Sequence, residues 1–180
     1  WRDDEYKAYG YEFPRPAIRF AELEEMIQIC RLMWTQDAPT FTGKHFHITE
    51  AAAPPKPEIV PPVCIGAYGE QIGLPMVGRL ADMWNASTQG NLERWLVKRD
   101  IVRASAEKSG RNPSDIHISL TVEKPLPNTD EESEKLRSEL QTMADHGVEH
   151  FVMDFGHPQS TEPVMRFVEQ VLQPMKAARK

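Results

Sequence analysis

The apolar positions of this chain change their period along its length. Between Pro16 and Thr35, the residues Phe20, Leu23, Ile27, Cys30 and Trp34 recur at three- and four-residue steps. That spacing predicts a helix starting after Pro14 and Pro16, with one apolar face that must pack on another element. Phe41 to Ile48 then alternates around Gly43 and predicts a short hairpin, with Phe46 and Ile48 on one face and His45 and His47 on the other. Pro54 to Pro62 carries the chain onward in extended form, as a spacer inside one domain. From Val63 a strand and a helical pattern alternate four times. The strands are Val63 to Ala67, Met83 to Ala86, Ile116 to Val122 and His150 to Phe155. The helical patterns are carried by Leu74, Val77 and Leu80, by Leu92, Trp95, Leu96 and Val102, by Leu136, Leu140 and Met143, and by Val164, Phe167, Val168, Val171 and Met175. Local punctuation agrees: Gly110 and Gly147 stop helices, Thr129 with Glu132 forms a capping box, and Ser160 or Thr161 is placed to cap the last helix. Strands joined by helices of this length run parallel, because the crossover needs the helix. Four such units make either a small open α/β sheet or half of an eight-stranded barrel.

The 180 residues are enough for one core in a single domain. A formal charge of −6 without a dense Lys/Arg stripe argues against a nucleic-acid or anionic-membrane partner. The apolar runs are far shorter than a membrane span, and no signal-peptide pattern opens the chain. Only Cys30, on a predicted helix, and Cys64, in a predicted buried strand, carry thiols, so both are expected to pack in a core, as in a reducing cytoplasm. The first residue is Trp1, followed directly by a polar segment, and the expectation is a piece of a longer polypeptide.

The candidate chemistry centres on Cys64-Ile65-Gly66-Ala67-Tyr68-Gly69-Glu70. Gly66 and Gly69 are expected to let the backbone turn sharply and approach a ligand, and the helix that follows points its free N–H groups back at the turn, a geometry that suits a phosphate. Trp84 and Asn85 end the next strand and would face the strands' C-terminal end, unless Trp84 is a core residue and Asn85 a turn residue. His157, in the loop after the last strand, is the histidine best placed to reach a substrate. His45 and His47 share a face, but no cysteine or carboxylate cluster completes a metal site, so a solvated hairpin face and no metal are expected.

Several segments together resemble one family. They are Trp1 with Glu5-Tyr6 and Tyr9-Gly10, Arg19-Phe20-Ala21-Glu22-Leu23-Glu24-Glu25, Phe41-Thr42-Gly43-Lys44-His45-Phe46, and Pro55-Lys56-Pro57 before Pro61-Pro62. To these are added Ile65-Gly66-Ala67-Tyr68-Gly69, Ala81-Asp82-Met83-Trp84-Asn85, Gly110-Arg111-Asn112-Pro113 and Gly147-Val148-Glu149-His150-Phe151. In this order they resemble the bacterial-luciferase-like flavin and deazaflavin oxidoreductases, close to the branch that uses coenzyme F420.

The resemblance implies the C-terminal half of a (β/α)8 barrel, residues 1–180, with a hairpin insertion near 39–50 and the N-terminal half of the barrel as a missing partner. It implies hydride transfer between a small organic substrate and F420, or FMN-dependent oxygenation. It also implies that Gly66, Ala67, Tyr68, Gly69 and Glu70 hold the cofactor phosphate, and that Trp1 and Asp4 lie near the cofactor. Where relatives in the sugar-phosphate dehydrogenase branch carry a catalytic glutamate, this chain has Trp1. A phosphate- or cofactor-binding half barrel without catalysis is the reading from another class. Lone half barrels expose two sheet edges and are expected to self-associate, with Ile65 and Val152 among the apolar residues facing inward.

Overall fold

The computed structural model describes residues 2–158 and 160–178. Helices α1 (Asp3–Ala8) and α2 (Pro16–Thr35) precede a hairpin of β1 (Phe41–Thr42) and β2 (His47–Ile48). Four βα units follow. They are β3 (Cys64–Gly66) with α3 (Gly73–Leu80), β4 (Met83–Ala86) with α4 (Leu92–Lys108), β5 (His117–Glu123) with α5 (Asp130–Asp145), and β6 (His150–Asp154) with a final helical stretch. That stretch is α6 (Glu162–Phe167), a π turn over Val168–Leu172, and α7 (Gln173–Ala178). The wide turn ends two residues before Pro174, whose ring nitrogen has no proton to give to Gln170 four residues back. The four strands pair in parallel in the order β3-β4-β5-β6, the α/β architecture that the alternation of periods predicts.

The helix ends form for local reasons. Gly110 and Gly147 follow α4 and α5 with φ of 76° and 91°, a region that an L side chain strains to enter. Thr129 Oγ1 accepts from the N–H of Glu132 at 3.1 Å, and the Glu132 carboxylate accepts from the N–H of Asn128 at 2.6 Å. Thr161 heads α6 but makes no side-chain cap bond, because its own backbone is already helical (φ −82°, ψ −21°).

The sheet has two unlike faces. Ile65, Trp84, Ala86, Ile118 and Leu120 point into a core closed by Leu74 and Val77 of α3 and by Trp95, Val102 and Ala106 of α4. A second cluster, Leu126, Leu136, Leu140, Phe167 and Val171, fills the space under α5 and the final helix. The opposite face carries Cys64 and Gly66, Met83 and Asn85, Ser119, Thr121 and Glu123, then His150, Val152 and Asp154. Three expectations are corrected by this alternation. Cys64 is exposed rather than buried, and His150 is exposed at the start of a strand expected to be buried. Ile65, 5 % exposed, packs under the helices, while Val152, 42 % exposed, stands on the open face. The open face is therefore mainly polar. Residual desolvation still pushes the Cys64 thiol above its ordinary value, which makes it a poor nucleophile near neutrality.

Helix α2 buries only Ile27 and Ile29, and Leu23 of the expected apolar stripe is 39 % exposed. His45 lies in the hairpin turn, so the two histidines do not share a strand face.

Candidate phosphate-binding turn and the open sheet face

The segment between β3 and α3 is held by its carbonyl groups. Ala67 O accepts from Trp84 Nε1 at 3.0 Å, Tyr68 O from Lys98 Nζ at 2.8 Å, Gly69 O from Leu74 N at 2.9 Å and Ile72 O from Met76 N at 3.0 Å. The N–H groups of Tyr68, Gly69, Glu70, Gln71 and Ile72 find no acceptor among the described residues, and all five residues are exposed. Successive N–H groups without protein acceptors, on an exposed turn at the positive end of a helix, are donors suited to an anion. Neither glycine makes the sharp left-handed turn expected of it. Gly66 and Gly69 lie outside the left-handed region, and an added Cβ would come no closer than 3.8 Å and 4.0 Å to a neighbouring atom. Their contribution is the space left over the turn. The glycine that permits a close approach is Gly73, where a Cβ would sit 3.1 Å from Ala67 Cβ.

Side chains brace the turn on two sides. Tyr68 Oη accepts from Ser87 N at 2.6 Å and donates to Ser87 Oγ at 3.0 Å, tying the turn to the segment after β4. Lys98, 7 % exposed on α4, donates to Glu70 Oε1 at 2.7 Å as well as to Tyr68 O. That contact, with Arg94 nearby, holds the Glu70 carboxyl below its ordinary value. Glu70 is thus tied back onto a cation.

Trp84 and Asn85 part company because neighbours on a strand point to opposite faces. Trp84 is fully buried and stacks on Trp95 with ring centroids 5.4 Å apart, so it belongs to the core and does not face the mouth of the sheet. Its bond to Ala67 O makes it a support of the turn. Asn85 faces the open side. Its Nδ2 donates to Ser119 Oγ at 2.8 Å, and its Oδ1 accepts from Thr121 Oγ1 at 2.9 Å. Ser119 Oγ is also 2.9 Å from His150 Nδ1, so a polar chain crosses β4, β5 and β6.

The profile of the luciferase-like monooxygenase family matches residues 1–172. The chain belongs to this family. Among curated relatives, the chain is 28 % identical over 135 residues to an F420-dependent glucose-6-phosphate dehydrogenase of Amycolatopsis mediterranei, covering 70 % of this chain and 40 % of the relative. It is 32 % identical over 120 residues to the F420-dependent glucose-6-phosphate dehydrogenase of Mycolicibacterium gilvum, covering 64 % and 35 %. A pyrimidine monooxygenase of Allorhizobium ampelinum is 27 % identical over 127 residues, covering 68 % and 34 %. The matched region thus spans 40 % or less of each of these relatives.

Among solved structures, an F420-dependent secondary alcohol dehydrogenase in complex with an F420-acetone adduct superposes with a TM-score of 0.55 at 20 % identity, over 92 % of this chain and 49 % of that one. A long-chain alkane monooxygenase superposes with a TM-score of 0.58 at 14 % identity, over 92 % and 52 %. These two share the fold. The four βα units correspond to the C-terminal half of the barrel of luciferase-like proteins.

The remaining site expectations disperse within this family frame. Trp1 lies outside the described residues. Asp4 is exposed in the first turn of α1, its carboxylate paired with Arg2 at 2.7 Å. His157 is exposed in the loop after β6. Among the described residues no three His, Cys, Asp or Glu side chains converge as a metal site. Sequence reasoning missed Lys98, Ser87, Ser119 and Thr121. The alternation Ser119, Thr121, Glu123 signalled a polar strand face, whereas nothing local marks Lys98, which sits three residues after Trp95 on the buried side of α4.

Proposed function

We propose that this chain is the phosphate-binding half of a luciferase-like oxidoreductase that uses coenzyme F420. The observation that carries the reading is the run of five exposed residues, Tyr68 to Ile72, whose N–H groups find no acceptor among the described residues while the carbonyls of Tyr68, Gly69 and Ile72 are bonded. Gly66, Ala67, Tyr68, Gly69 and Glu70 would surround the cofactor phosphate, with Asp4 and Trp1 nearer the rest of the cofactor. The similarity to F420-dependent dehydrogenases supports the choice of cofactor. When bound, F420 supplies a ring that accepts or donates hydride. This chain's residues bind and orient. Trp84 and Lys98 fix the carbonyl side of the turn, and Asn85, Ser119, Thr121 and His150 offer a polar wall beneath the substrate. The substrate is a small organic molecule, met in the cytoplasm, and the other barrel half completes the pocket and contributes further groups. Asn85 and His157 are the substrate contacts proposed from this half. A second reading, FMN-dependent oxygenation, is favoured by the similarity to the pyrimidine monooxygenase.

Fluorescence titration with F420 and with FMN, followed by turnover in an oxygen electrode, separates the readings. F420 binding with substrate oxidation and no oxygen uptake is the expected result. Oxygen uptake coupled to reduced FMN would replace the dehydrogenase reading, and no affinity for either cofactor when both barrel halves are present would reject both.

A further inference from the structure

Glu70 is an unusual neighbour for a phosphate. It is one of the five residues whose N–H groups are unclaimed, yet its carboxylate brings a negative charge to the same turn. It also takes up a cation, since Lys98 Nζ is 2.7 Å from Glu70 Oε1 and 2.8 Å from Tyr68 O. Lys98 side-chain exposure is 9 %, whereas that of Glu70 is 49 %. The ammonium is therefore fixed and desolvated, and the carboxylate sits at the solvent edge and can swing. Buried ammonium groups need an anionic partner. Within this turn the Glu70 carboxylate, together with the Tyr68 carbonyl, fills that role.

We propose, on the footing that this turn binds phosphate, that Glu70 is a tethered competitor which neutralises Lys98 in the empty turn and sets how tightly a phosphate monoester or diester binds there. Its charge opposes that of the ligand, and the ligand's arrival releases Glu70 toward solvent while Lys98 stays in place. Were Glu70 simply a clip that shapes the turn, losing its charge would weaken binding or leave it unchanged. As a competitor, losing its charge tightens binding.

Glu70→Gln separates the two. Glutamine keeps an oxygen acceptor for Lys98 Nζ and removes only the charge. The probe is inorganic phosphate, titrated into the 180-residue chain while the amide resonances of Tyr68 to Ile72 are followed by NMR. Tightening of about three- to tenfold is expected, the order produced by removing one like charge close to a dianion in a water-like dielectric. The gain should shrink as salt is raised toward ~1 M, where the screening length falls to ~3 Å, a response that a purely structural clip would not show. Phosphate shifts in these amides that are equal or weaker in the variant would overturn the competitor role and leave the phosphate turn standing. Absence of any shift in both proteins would overturn the turn assignment and the competitor with it. Binding seen only in the variant would support the proposal most strongly.

Discussion

Glu25 sits on α2 and binds the turn of the hairpin with one carboxylate. The N–H groups of Lys44, His45 and Phe46 donate to it at 2.7, 2.9 and 2.8 Å. Desolvation alone would raise this carboxyl, but the three N–H donors and the nearby His45 outweigh it, so its folded value lies below the ordinary one. A folded value below the unfolded one means that the stabilisation is present above about pH 4.3, the usual carboxylate range. It is lost as pH falls through the lower folded value. Hydrogen exchange should therefore show the amides of residues 44–46 losing protection in acid ahead of the four-stranded sheet. In Glu25→Gln the same amides should already exchange faster at pH 7, since a carboxamide offers one oxygen where three donors are shared between two, and their response to acid should be flat. Equal protection in the variant and the parent at pH 7 would show that the hairpin is held by its own strands.

At the scale of elements, the crossing of α3 and α4 turns on Gly78. A Cβ at this position would lie 2.6 Å from Ser105 Cβ, 2.6 Å from Val102 O and 2.8 Å from Ala106 N. The helices approach closely enough for Ser105 Oγ to donate to Pro75 O at 2.9 Å and for Arg111 Nη1 to donate to Gly78 O at 2.9 Å. Helix propensity alone would make Gly78→Ala stabilising by about 1 kcal/mol. Packing reverses the sign, because two of the contacts are with backbone that cannot rotate away, and overpacking of this kind costs about 1–3 kcal/mol. The expected result is a lower Tm together with a weakened near-ultraviolet signal from the Trp84–Trp95 stack. A Tm equal to or above that of the parent would show that the helices separate freely, and the positioning of Lys98 by this crossing would then need another account.

For the whole molecule, the balance between its two faces decides behaviour in solution. The helix side is a filled core, with Leu74, Val77, Trp84 and Val102 fully buried. The other side leaves Val152 exposed along with Cys64, Glu123, His150 and Asp154, while Asn85 and Thr121 are half-buried and Ser119 is buried between them, and among the described residues β3 and β6 each lack a neighbour on their outer edge. Unpaired edges of this kind recruit strands from other chains. The 180-residue chain is accordingly expected to associate with itself or with the other barrel half, with slow exchange in β4 and β5 and fast exchange along the outer edges of β3 and β6. Analytical ultracentrifugation over a concentration series and hydrogen exchange check this. A rigid monomer with protected outer edges would mean that the four-stranded unit is self-sufficient.

The sequence by itself determined α2, the hairpin and the four strand-and-helix units, and that the four strands run parallel, because these follow from local periodicity, glycine and capping signals, and the length of the crossovers, whereas the polar helix α1 carries no apolar stripe to mark it. It also located the β3–α3 turn, through the order of strand, glycines and helix. Only the tertiary structure decided which face of each strand is covered. Trp84 and Asn85 are adjacent in sequence, yet helix packing made one a core support and the other part of a polar face. Ile65 and Cys64 exchanged their expected roles for the same reason, since a strand's period of two fixes the alternation but not which set meets the helices. Lys98 was out of reach of any local pattern. It lies 30 residues from Tyr68 and 28 from Glu70 in the chain, and only the packing of α4 beside the turn brings its ammonium to both.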